Sequence, residues 1–82
     1  MNASIMTSSA IANLANKSVS LAGTTYAIRP LGPDTFTVLL EGIPVGRIIY
    51  TFGTANGVPD GTAITEDALT QIAEAWFAAV DG

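Results

Sequence analysis

The residues of this chain that could do chemistry are its carboxylates. From Gly53 onward it carries Asp60, Glu66, Asp67, Glu74 and Asp81 and no basic residue. If Thr65–Asp81 (TEDALTQIAEAWFAAVD) is a helix, Glu66, Asp67, Glu74 and Asp81 fall within about 100° of one another around its axis. Asp67, Glu74 and Asp81 then recur at a seven-residue spacing, about 10 Å apart at a rise of 1.5 Å per residue. Paired carboxylates act as general acid and base, or hold a divalent cation, where a pocket makes them converge. An exposed helix face supplies no such pocket. Two readings remain: an ordinary solvated face, or an acidic stripe that fits a groove lined by Lys and Arg. Solvated helices normally mix both signs, so the lack of Lys and Arg favours the stripe. The candidate partner-binding residues are Asp60, Glu66, Asp67, Glu74, Asp81 and Phe77.

Other chemistries are excluded by composition. The 82 residues include no Cys and no His. Disulfides, zinc sites and Ser-His or Cys-His nucleophile pairs are therefore ruled out. Ser4, Ser8, Ser9, Ser18 and Ser20 have no base to activate them. GTANGVPDG (Gly53–Gly61) matches neither GxxxxGK[ST] nor GxGxxG. The expectation is a non-enzyme with no cofactor and no metal. Three basic against seven acidic residues give a net charge of −4. That argues against direct nucleic-acid binding, which needs clustered cations, and suits a protein partner with a basic surface. No stretch resembles a signal peptide or a membrane span, so a cytoplasmic location in a bacterial host is expected.

These residues need elements to position them. About half of the chain (49%) is apolar, enough for one small domain whose core is marginal. In Thr65–Asp81, Ala68, Leu69, Ile72, Ala73, Trp76, Ala79 and Val80 share one apolar arc, and Thr65 is a good N-cap. Three segments alternate with period two: Thr24–Pro30, Thr35–Glu41 and Val45–Phe52. Leu31-Gly32-Pro33-Asp34 and Gly42-Ile43-Pro44 read as the turns between them. Placing Arg29 and Arg47 outside sends Tyr26, Ile28, Phe36, Val38, Leu40, Ile48, Tyr50 and Phe52 inward, with Gly46 leaving room for the helix. Ala27, Leu39, Val45 and Ile49 fall on the outer face, which either the N-terminal segment (through Ile5, Ile11 and Leu14) or a second copy could cover. Gly53–Ala63 reads as a loop with turn signals at Asn56-Gly57 and Pro59-Asp60-Gly61. Residues 1–23 form a separate N-terminal segment, either an arm or, by preference, a short helix capped by Ser8 or Ser9 and running to Asn16. The fold expected over 24–82 is α+β: a three-stranded antiparallel β-meander with the C-terminal amphipathic helix packed on one face.

EGIPVGRIIY (Glu41–Tyr50) and GTAITEDALTQIAEAW (Gly61–Trp76) resemble small bacterial and phage proteins with this order of parts. There a strand carrying V-G-R-I is followed by a loop, then by G-x-A-x-T-x-x-A and a helix ending near A-W. The resemblance covers roughly residues 24 to 78 and implies the sheet-plus-helix fold. In size, acidity and lack of catalytic residues the chain also resembles phage and prophage anti-CRISPR proteins. That likeness implies an inhibitor that covers a basic nucleic-acid-binding surface of a CRISPR effector subunit. It carries over no residue role, so the candidate residues rest on the surface argument alone. The alternative is a small self-associating accessory protein of a phage or bacterium, a monomer or a homodimer through the outer sheet face.

Overall fold

A computed structural model describes residues 10–81. Six strands precede one helix: β1 (Ile11–Asn13), β2 (Ser18–Leu21), β3 (Thr24–Gly32), β4 (Thr35–Leu40), β5 (Ile43–Thr51), β6 (Thr54–Pro59) and α1 (Glu66–Asp81). The strands form a single antiparallel sheet in chain order. The helix reaches β1 and β2 on one side and β5 and β6 on the other, so the sheet curls around it as a half-barrel. Val19, Ile28, Val38, Ile48, Ile64, Leu69, Ile72, Ala73 and Trp76 are buried between the two layers. The α+β class and the C-terminal helix agree with the sequence reading. The three-stranded meander does not: twice as many strands are present.

The N-terminal segment is the first correction. Residues 11–21 form a hairpin, not a short helix; Ser8 and Ser9, its expected caps, and Ile5 lie outside the described residues. The reason is local. The side chain of Asn13 accepts a hydrogen bond from the backbone N–H of Asn16 (3.1 Å), and Lys17 N–H donates to the Leu14 carbonyl (3.2 Å). An Asn side chain that satisfies the backbone in a turn competes directly with helix formation. Beyond the turn, Ser18-Val19-Ser20-Leu21 alternates, and Val19 and Leu21 enter the core.

The second correction is at Gly53–Ala63, where a strand replaces most of the expected loop. The turn comes earlier, at Phe52-Gly53. It belongs to a set of three: Ala22-Gly23, Glu41-Gly42 and Phe52-Gly53 have φ values of 53 and 82°, 52 and 82°, and 51 and 78°. Positive φ at both central residues is the type I′ geometry, whose twist matches that of the flanking strands. It sets the register Thr51↔Thr54 and places Asn56-Gly57 within β6, with Gly57 opposite Ile48. The second turn is accordingly Glu41-Gly42, one residue before the expected Gly42-Ile43-Pro44, and Ile43 and Pro44 open β5.

Side-chain facing is also revised. Val38 pairs with Gly46 but Leu39 with Pro44, so Val45 is the extra residue of a β-bulge. The bulge turns Val45 into the core instead of the outer face. Leu39, across from Ala27, is buried as well, though outside the main cluster. Phe52 leaves the core altogether and stands fully exposed at its turn, while Tyr50 is 38% exposed. Helix α1 is started as expected, with Ala68 N–H donating to Thr65 Oγ1 (3.1 Å). It sits close to the sheet because Gly46 and Gly57 lie under Leu69.

Candidate binding surface

The candidate residues are spread along α1 and the segment that precedes it. Glu66 and Asp67 occupy the first turn of α1, where negative charge meets the positive end of the helix dipole. Asp60 follows β6 and is exposed; its N–H donates to the Val45 carbonyl (2.9 Å), extending the ladder past the bulge. Glu74 lies midway along α1, with Phe77 and Asp81 toward its C-terminal end. Asp67 and Asp81 are about 21 Å apart along the axis at 1.5 Å per residue. The structure therefore brings Glu74, Phe77 and Asp81 together and leaves Asp60, Glu66 and Asp67 out of that group.

The C-terminal end of α1 has shape as well as charge. The Phe77 ring packs against Phe36 (centroids 5.6 Å, 64° between planes) and Tyr50 (5.1 Å, 39°). Phe36 in turn meets the Trp76 ring edge-on (5.7 Å, 69°). The result is a file of rings from the core to the surface. Two clefts flank it. The larger, about 350 Å³, lies toward the β5–β6 turn and includes Tyr50, Gly53, Thr54, Glu74, Phe77 and Asp81. The smaller, about 220 Å³, lies toward the β3–β4 turn and includes Asp34, Phe36, Tyr50, Phe77, Val80 and Asp81. A hydrogen bond from Tyr50 N–H to the Asp34 carbonyl (2.9 Å) ties that turn to β5.

Asp34, Tyr50 and Val80, which line the clefts, are missing from the sequence-derived set. Tyr50 keeps the inward parity of β5 and meets Phe77 at the edge of the core, whereas Phe52, in the turn beyond it, is fully exposed. The available signal is Phe52-Gly53 between two threonines that each continue an alternating run, a two-residue hairpin pattern.

Charge is segregated across the molecule. Arg29, Thr37 and Arg47 are direct cross-strand neighbours in one row. They alternate with Ile28, Val38 and Ile48 of the core, and so lie on the sheet face away from α1. Acidic residues on α1 thus oppose basic residues across the sheet, and among the described residues no charged side chain is buried. Among the described residues no group of three Asp or Glu could hold a metal ion, and no helix is long and apolar enough to cross a membrane. Neither a protein-family model, nor a curated protein, nor a solved structure matches this chain.

Proposed function

We propose that this protein is a non-enzymatic binding domain that covers a basic, nucleic-acid-binding surface of another protein and thereby blocks target binding. In its specific form the partner is a CRISPR effector subunit in a bacterial cytoplasm, as in anti-CRISPR proteins of phages and prophages. The observation that carries the reading is the segregation of charge. Glu66, Asp67, Glu74 and Asp81 stand exposed along α1, and its last turn has no base to neutralise them. Such a face steers association with a cationic surface, and salt weakens that steering.

The test is capture of defined CRISPR effectors by the tagged protein at about 0.1 M and about 0.5 M salt, which span weak and strong screening. Capture of an effector subunit, lost at the higher salt and lost when Asp67→Lys and Glu74→Lys are combined, is the expected result. Undiminished capture by that double variant would refute the acidic-face reading. A second reading, self-association as a phage or bacterial accessory protein, is favoured by one observation. β1 and β2 extend the sheet edge-on instead of lying over its outer face. A homodimer that persists at about 0.5 M salt, with no effector captured, would favour it.

A further inference from the structure

We propose that the two clefts at the C-terminal end of α1 form a receptor for an arginine side chain of the partner protein, stacked on the Tyr50–Phe77 wall and held by Asp81. This assignment rests on the basic-partner reading above and names the group that would be recognised. Three features of the site combine. Its wall is aromatic and reaches solvent, with Tyr50 38% and Val80 54% exposed over the buried part of the ring file. Its rim is acidic: Glu74 and Asp81 border the larger cleft, Asp34 and Asp81 the smaller, and no cation lines either. Its position adds negative potential, because the last carbonyls of a helix carry the negative end of the dipole and α1 has no base in its last turn.

Asp81 at that end is a residue the isolated fold gains nothing from, since it repels the dipole. A bound cation turns the repulsion into attraction. Cleft size narrows the choice of occupant. Volumes of about 350 and 220 Å³ fall on either side of the low end of small-molecule pockets, about 300 Å³, and suit one side chain. Arginine fits better than lysine for two reasons. Its planar guanidinium stacks on aromatic faces, and its forked donors meet carboxylates in pairs. An ammonium would find the charge but gain less from the wall.

The experiment titrates the full-length protein with a blocked Arg–Gly repeat peptide and, separately, with the matching Lys–Gly peptide, at about 0.1 M salt, followed by calorimetry. The Arg peptide is expected to bind more tightly. Tyr50→Leu should weaken the Arg peptide about two- to fivefold, the worth of an exposed cation–π contact, and barely change the Lys peptide. Asp81→Asn, at an exposed position where folding is not at stake, should weaken both, while Asp67→Asn at the far end of α1 should leave the Arg peptide within about twofold. Equal binding of the two peptides, unaffected by Tyr50→Leu, would overturn the arginine receptor and leave the acidic-face reading standing. No binding of the Arg peptide, with effector capture retained, would do the same. Loss of effector capture in the charge-reversed variant is the separate readout for the broader reading.

Discussion

Replacing Gly57 with alanine should separate the layers of this fold. A Cβ built at Gly57 would stand 2.5 Å from Leu69 Cβ, 2.8 Å from the Leu69 carbonyl carbon and 2.9 Å from Thr70 N. Ordinary contact begins at 3.4 Å, so this turn of α1 must retreat by about 0.5–0.9 Å, and a gap of that size forfeits a quarter to a half of the dispersion energy across it. None of the three atoms can rotate away. Inserting a methyl into a rigid, well-packed site costs about 1–3 kcal/mol, and immovable backbone places Gly57→Ala near the top of that range. Restriction of the unfolded chain offsets about 0.4–1 kcal/mol. The net loss of about 2 kcal/mol is substantial against the roughly 4–12 kcal/mol expected for a domain of this length. It corresponds to a drop in Tm of about 8–16 °C.

Gly46→Ala provides the contrast. Its new methyl meets mainly the end of the Leu69 side chain, which can change rotamer, although the Val58 carbonyl oxygen stands at 3.0 Å. It should cost about 1 kcal/mol less than Gly57→Ala. Adding Leu69→Ala should relieve the strain of Gly46→Ala, visible as a coupling of about 1 kcal/mol. It should not relieve Gly57→Ala, because alanine keeps the offending Cβ and backbone atoms. Urea unfolding followed by the fluorescence of Trp76, the single tryptophan, measures all of these variants. A Gly57→Ala protein as stable as the wild type, or one rescued by Leu69→Ala, would refute the close packing of α1 on β6.

Two further substitutions test local structure. Thr65→Ala removes the acceptor for Ala68 N–H and should cost about 1 kcal/mol; no loss in the same urea assay would mean that the cap is dispensable. Phe52→Asn puts a residue favoured at the first position of a type I′ turn where an aromatic now holds φ 51° with its side chain 101% exposed. With no buried contact to lose, it should raise stability by about 0.5–1 kcal/mol. A lower Tm would show instead that the Phe52 ring packs against the protein.

Much of the architecture is written in local patterns. The 3.6-residue periodicity of Ala68, Leu69, Ile72, Ala73 and Trp76, with Thr65 as cap, specifies α1. The two-residue alternation around Tyr26, Phe36 and Ile48 specifies the three middle strands. The lack of Cys and His bounds the chemistry without any structure. Three features escaped this reading because neighbours override local signals there. Asn56-Gly57 looks like a turn, but Gly57 lies in a strand because only glycine lets Leu69 sit directly above it. Val45 breaks the alternation of β5 because a bulge inserts it as an unpaired residue. Ile11–Leu21 reads weakly in any state until β3 offers a strand to pair with.

The candidate site follows the same division. Residue type and helical spacing by themselves place Glu66, Asp67, Glu74 and Asp81 on one exposed face of a helix, because side-chain direction along a helix depends only on sequence separation. Which of those carboxylates meets an aromatic wall was decided by the tertiary structure alone. The hairpin turns at Pro33-Asp34 and Phe52-Gly53 end beside the last turns of α1, and that meeting makes clefts around Tyr50 and Phe77. Where two turns and a helix end converge depends on strand lengths, registers and the curl of the sheet, which are long-range quantities that no window of sequence contains.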